Sequence, residues 1–220
     1  MIRQAIIPLA GLGTRLLPIT SVFPKELLPI NGKPGIEYIL DECIDADIKE
    51  VIFIISKKKE LIKKYFYNDK LFKKIIKKKK DIRLKREYQK IKKYKKMIRF
   101  VYQNIPQGTG DAVLKAKPFI KDKFFLMLLP DDLIIKQNCS RDMIKSHIKY
   151  KSSVMASMSV NKKTISRWGV YNLGKKINKS NYFINDVVEK PKLKDAPSNK
   201  AVIGRYILPR SIFHIISKLK

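Results

Sequence analysis

The stretch that decides the fold is Leu9-Ala10-Gly11-Leu12-Gly13-Thr14-Arg15, which follows directly on an apolar run over residues 2–9. An apolar run of this length feeding two glycines reads as a buried strand that enters a loop, with backbone amides able to face an anion. Glycines at 11 and 13 let phosphate oxygens approach the chain with no side chain in the way. Two familiar phosphate loops are excluded by spacing. A dinucleotide fingerprint needs its third glycine at position 16, where Leu16 stands, and no Gly-Lys-Ser/Thr follows to make a P-loop. Taken alone, the loop fits phosphate binding and a plain tight turn equally well.

Working outward, residues 35–46 carry apolar positions at helical spacing, and 50–56 are β-branched and apolar, as in a buried parallel strand. Helical spacing returns over 60–67. It continues through 70–96 as one or two amphipathic helices, with Leu71, Phe72, Ile75 and Ile76 on one face. Strands are expected at 98–103, 124–129 and 153–160, and helices at 109–117 and 139–150. After Trp168 the pattern shortens to strands at 169–173, 183–189 and 200–208, with a polar, proline-containing loop at 190–199 and a last helix at 211–219. Strands alternating with helices imply a parallel sheet covered on both faces.

Composition bounds the function. A chain of 220 residues, 45% hydrophobic, buries one substantial core, and ten Tyr and ten Phe argue against disorder. No apolar run is long enough to cross a bilayer, and Met1-Ile2-Arg3-Gln4-Ala5 opens a strand rather than a signal peptide. Cys43 and Cys139 belong to no CxxC or Cys/His cluster, so two free thiols in a reducing, cytoplasmic setting are expected. His147 and His214 have no acid, Ser or Cys partner placed by any motif and are expected to be structural. The net charge of +30 raises nucleic acid as a partner. The lysines concentrate in 57–96, however, and the excess of Lys, Ile and Asn follows A/T-rich codons. The block is read as a solvated face. With no aromatic platform or recognised module, no specific nucleic acid and no membrane are expected as partners.

The continuation gives the glycine loop its meaning. Pro24-Lys25-Glu26-Leu27-Leu28-Pro29 and Gly32-Lys33-Pro34 are followed by Gln103, Gln107-Gly108-Thr109-Gly110 and Leu129-Pro130-Asp131-Asp132. Trp168-Gly169-Val170, Val188-Glu189-Lys190-Pro191 and Ile203-Gly204-Arg205-Tyr206 complete the series. In this order, over essentially the whole chain, the sequence resembles the sugar nucleotidyltransferases, and among them the bacterial UTP–glucose-1-phosphate uridylyltransferases. The resemblance implies an α/β fold, a Rossmann-like three-layer α/β/α domain with a mixed, mostly parallel sheet. Residues 1–220 would form that single domain, with 57–96 as a lysine-rich helical insertion.

It also implies uridylyl transfer from UTP to glucose 1-phosphate, giving UDP-glucose and pyrophosphate, with Mg²⁺. Attack of a sugar-phosphate oxygen on the α-phosphorus needs no protein nucleophile. It needs two anions brought in line and charge stabilised on the departing pyrophosphate. Arg15 and Lys25 would supply fixed positive charge at the triphosphate. Asp131, closing a buried strand, would hold the Mg²⁺, and Asp132 beside it is read as a supporting group. Ala10, Gly11, Gly13 and Thr14 would form the nucleotide loop, while Gln103 and Gly108 read the uracil edge through side chain and backbone. At the sugar end, Glu189 would accept hydroxyls, Lys190 would hold the sugar phosphate, and Gly169 and Gly204 would let the sugar approach backbone. Each has a plainer reading: exposed cations, a cap aspartate, a surface ion pair, strand-end glycines.

The match departs at Ser21, where relatives commonly have Lys, and at Asp111, where His is frequent. Relatives also continue past the helix at 211–219 with a second metal-binding aspartate and much of a dimer contact. A homo-oligomer is therefore expected of a full-length form, and this chain is expected to be either a fragment or the product of a truncated gene. Three alternatives stand beside the leading one: thymidylyl transfer to the same sugar phosphate, though such relatives usually open with GGSGTR; a regulatory relative, though these tend to lose the Thr14-Arg15 pair; and a basic nucleic-acid-binding protein.

Overall fold

Four of the five residues of β1 (Gln4–Pro8) are buried, which puts this strand at the centre of the sheet with packing on both faces. The computed structural model describes residues 1–105 and 107–219, so Pro106 and Lys220 of the expected 1–220 domain lie outside the described residues. In chain order, β1 is followed by a two-residue ribbon, β2 (Pro29–Ile30) and β3 (Lys33–Pro34), then α1 (Gly35–Asp45) and β4 (Glu50–Ile55). Three helices come next, α2 (Glu60–Tyr67), α3 (Lys70–Lys79) and α4 (Ile82–Met97), and then β5 (Ile98–Tyr102), α5 (Thr109–Lys115) and β6 (Phe124–Leu128). The chain goes on through α6 (Cys139–Tyr150), β7 (Val154–Ser159), β8 (Gly169–Lys176), β9 (Tyr182–Glu189), β10 (Lys200–Pro209) and α7 (Ile212–Lys218).

β1 pairs in parallel with β4 on one side and β6 on the other, Ile6 facing Ile52 and Met127. β5 extends the parallel set beyond β4. On the far side β10 runs antiparallel to β6, with Ile207 opposite Leu126. Tyr206 lies between Met127 and Met155, and Ala201 between Val170 and Met158. Thus β6 and β8 follow one another along one edge of β10, while β7 runs along the opposite edge. β9 pairs antiparallel with β8 and completes the sheet. The result is the mixed, mostly parallel sheet that the resemblance implied, rather than the wholly parallel one that the alternation of elements implied by itself.

Period-two alternation assigns the strand side chains to two cores. Ile7, Phe53, Ile55 and Leu128 pack with Ile39 of α1, Phe66 of α2, Tyr94 of α4 and Met143 of α6. Ile6, Ile52, Ile54 and Phe125 pack on the other face with Ala112 and Val113 of α5 and Phe213 of α7. Helices therefore cover both faces in three layers. No helix among the described residues is long and apolar enough to cross a membrane.

The lysine block presents the expected solvated face, with one lysine turned inward. Ile62, Phe66, Ile91 and Tyr94 are core residues, and Lys59 is 5% exposed. The 70–96 stretch is two helices, separated at Lys80, which takes a left-handed conformation, and restarted by Asp81, whose carboxylate accepts from the amides of Arg83 and Leu84. Phe72 packs against Tyr88, but Leu71, expected on the same face, is 68% exposed. His147 Nδ1 donates to the Ser152 carbonyl, 2.7 Å away, and its ring lies against that of Phe124, contacts that fit a structural role. Both cysteines are free thiols. Burial pushes the Cys139 thiol up to about 11 and raises Cys43 as well.

Candidate active site

The parallel strands end in a cavity of about 280 Å³, lined by Ala10, Gly11, Lys25, Gln103, Gly108 and Asp131 among others. An open α/β sheet places its ligands at this carboxyl-terminal edge. The glycine loop leaves β1 after Leu9, whose amide donates to the Ile54 carbonyl at 2.7 Å. Gly13 has φ of +70° and a Cβ there would stand 3.2 Å from Thr20 Cγ2. The left-handed turn favours glycine, and the close packing adds to that preference. Thr20 Oγ1 donates to the Gly13 carbonyl at 2.8 Å and pins the turn. Thr14 and Arg15, which follow, are exposed and are not among the cavity-lining residues.

Lys25 and Asp131 face each other at the cavity. Lys25 Nζ lies 2.5 and 2.6 Å from the two carboxylate oxygens of Asp131. The Lys25 side chain is 22% exposed and that of Asp131 60% exposed, so the acid is the more accessible partner. Beneath them, Glu26 and Lys59 form a buried ion pair at 2.6 and 2.8 Å. Desolvation holds the Lys59 ammonium below its ordinary value, and the attraction of Glu26 opposes that drop. The pair fastens the short turn that carries Lys25. Losing either member would strand a buried charge.

The loop bearing Asp131 is clamped from behind by Arg205, which is fully buried. Its guanidinium donates to both carboxylate oxygens of Glu42 at 2.8–3.1 Å, to the Asp132 carbonyl at 2.7 Å and to the Leu129 carbonyl at 3.2 Å. Asp132 Oδ2 accepts from the Gly204 amide at 2.6 Å, so its side chain is turned into the structure as a support, leaving Asp131 as the acid of this loop that faces the cavity. A Cβ on Gly204 would fall 2.4 Å from Leu129 Cβ. Packing against the loop therefore suffices to require glycine at 204. Arg205 and Glu42 carry no role in the sequence reading; the available signal was an acid at 42 within the apolar spacing of α1.

Gln103 and Gly108 sit together on the third side. Gln103 is 2% exposed. Its Nε2 donates to Asp111 Oδ2 at 2.8 Å and to the Gly108 carbonyl at 3.3 Å. Gly108 has φ of +92° and caps α5, and a Cβ there would meet nothing within 4 Å. Backbone conformation, not crowding, demands this glycine.

The expected sugar-end residues form a second group that does not line the cavity. Gly169 and Glu189 are cross-strand partners on β8 and β9, with Glu189 Oε2 3.0 Å from where a Gly169 Cβ would be. Lys190 Nζ lies 3.3 Å from Glu189 Oε1, with both side chains more than half exposed. Lys190 has φ of +47°, a left-handed residue at the end of β9, and its amide donates to the Trp168 carbonyl at 3.0 Å.

Comparison with known proteins places this geometry. The nucleotidyl transferase family profile matches residues 4–220. The chain is 37% identical over 219 residues to UTP–glucose-1-phosphate uridylyltransferase 2 of Staphylococcus saprophyticus, covering 98% of this chain and 74% of the relative. It is 36% identical over 219 residues to the uridylyltransferase YngB of Bacillus subtilis, covering 99% and 73%. Among solved structures, a UDP-glucose pyrophosphorylase complexed with UDP-glucose superposes with a TM-score of 0.85 at 34% identity, over 99% of this chain and 80% of that one. The UTP-bound enzyme of Acinetobacter baumannii gives 0.90 at 31% identity, over 98% and 77%.

Proposed function

The chain belongs to the nucleotidyl transferase family, among its UTP–glucose-1-phosphate uridylyltransferases, and from that membership we propose that it transfers uridylyl from UTP to glucose 1-phosphate. The observation that carries the reading is one cavity lined both by Gln103 and Gly108, suited to a base edge, and by Lys25 and Asp131, suited to phosphates and a cation.

Amides of the Ala10–Thr14 loop receive phosphate oxygens, and Lys25 and Arg15 stabilise the charge that develops on them. An oxygen of glucose 1-phosphate attacks the α-phosphorus, the bond to the bridging oxygen breaks, and pyrophosphate leaves. No three His, Cys, Asp or Glu residues among the described residues cluster as a ready-made metal centre. One accessible carboxylate, Asp131, is nevertheless the kind of protein ligand that Mg²⁺ uses, together with substrate phosphates and water. Mg²⁺ bound there would neutralise phosphate charge as pyrophosphate departs. Glu189 accepts hydrogen bonds from sugar hydroxyls, Lys190 binds the sugar phosphate, and Gly169 lets the sugar approach the backbone, whereas the space beside Gly204 is taken by Leu129 and Asp132.

Incubation with UTP, glucose 1-phosphate and Mg²⁺ should release pyrophosphate and UDP-glucose. Equal turnover with ATP would overturn the assignment, and preference for dTTP would move it to thymidylyl transfer.

A further inference from the structure

The two ends of the Gln103 side-chain amide differ, and so do the pyrimidines. Uracil presents an N3–H donor between two carbonyl acceptors; cytosine presents an N3 acceptor beside an amino group. Which base a glutamine favours depends on which end of its amide faces the cavity.

Gln103 Nε2 lies 2.8 Å from Asp111 Oδ2 and 3.3 Å from the Gly108 carbonyl oxygen. A carboxylate and a carbonyl only accept. Turning the amide over would set Gln103 Oε1 against both of them, a buried clash of acceptors. Gln103 is 2% and Asp111 5% exposed, so neither has room to swing to solvent. Asp111 is itself fixed on the first turn of α5, with Lys115 Nζ 3.8 Å from its Oδ1.

We infer that Asp111 is a positioning residue for base selection: it locks Gln103 with Nε2 inward and Oε1 toward the nucleotide. The cavity then admits bases that carry N3–H, uracil and thymine, and rejects cytosine. The inference rests on the uridylyl reading of this cavity and adds to it the group that sets the amide's direction.

Asp111→Asn tests it with almost no change of shape, because an asparagine can donate to Gln103 Oε1 and let Nε2 turn outward. Steady-state kcat/KM for UTP, CTP and ATP is compared in the wild type, Asp111→Asn and Asp111→Ala. The wild type should prefer UTP over CTP by roughly 100-fold or more. In Asp111→Asn the UTP:CTP ratio should fall about tenfold or more, with CTP turnover rising in absolute terms, while KM for glucose 1-phosphate and circular dichroism stay unchanged. Asp111→Ala, which removes the nearer of the two acceptors and leaves the longer bond to the Gly108 carbonyl, should lower the ratio in the same direction and serves if the asparagine variant does not fold. Equal losses with UTP and CTP would show a merely structural role and overturn the inference. A wild type that selects UTP over ATP yet accepts CTP equally would overturn it while leaving the uridylyl reading standing. A wild type with no preference for UTP over ATP would instead remove the reading and the inference together.

Discussion

The two ends of the sheet are built to different standards. In the parallel half, β1 is buried for four of its five residues, and the charged groups behind the cavity are tied to buried partners, Glu26 to Lys59 and Glu42 to Arg205, which reaches across from the adjoining antiparallel β10. In the antiparallel half, β9 has seven of eight residues exposed, and its charged pair, Glu189 and Lys190, stands in solvent. Groups held by buried partners need little reordering when substrate arrives, which is what electrostatic catalysis requires. Exposed groups must be ordered by the ligand itself, at a cost in side-chain entropy. On the proposed reading, the nucleotide end is thus preformed, and the sugar end is ordered by its substrate.

The largest expected effect breaks the preformed end. Glu42→Ala leaves the fully buried Arg205 guanidinium without its counter-charge and should destabilise the protein by about 3–5 kcal/mol, read from urea unfolding. Glu189→Ala, at the exposed pair, should change stability by at most about 1 kcal/mol. If both variants unfold at the same urea concentration, the contrast between the two ends is wrong.

Asp131→Ala comes next. It should lower kcat by about 10²–10³-fold, the scale of one preorganised electrostatic element, with the fold intact because the loop is held through the carbonyls of Leu129 and Asp132. Normal turnover with unchanged circular dichroism would refute the proposed metal role. Glu189→Gln should act more narrowly, raising KM for glucose 1-phosphate by roughly tenfold while KM for UTP stays put, as expected for one hydrogen bond to a charged acceptor. An equal rise for both substrates would erase the division between a nucleotide end and a sugar end.

How much of this was legible in the sequence follows from the same contrast. β1, β4 and β6 are buried on both faces, so they read as continuous apolar runs, and the glycine loop follows β1 directly. The buried pairs were not legible, because their members lie 33 residues apart for Lys59 and Glu26 and 163 apart for Arg205 and Glu42. No local periodicity encodes such a partnership. Lys59 was further hidden by its surroundings, since in a run of lysines nothing marks the one that turns inward. The motif residues were all visible, but their division between the cavity and the β8–β9 edge depends on β8 joining β10 beyond the point where β6 ends, which only the pairing of strands reveals.

The smallest expected effect concerns the feature that dominates the composition. α3 has no buried residue, and Lys74, Lys77 and Lys78 are exposed. Replacing all three by Gln removes charge but no packing, so stability should change by no more than about 0.5 kcal/mol for each substitution. Turnover of UTP should be unaltered, since none of the three lines the cavity. A protein of net charge +30 will nonetheless adsorb to polyanions by releasing their counterions, and each phosphate neutralised adds about 0.7–0.9 to the slope of log K against log salt. The triple variant should therefore bind duplex DNA with a slope shallower by up to about 2–3, and neither protein should show sequence preference. Turnover that fell with these lysines would make α3 part of the substrate's path. A defined RNA or DNA site held tightly at physiological salt, and lost in the variant, would show that the lysines were placed to recognise it rather than merely to meet water.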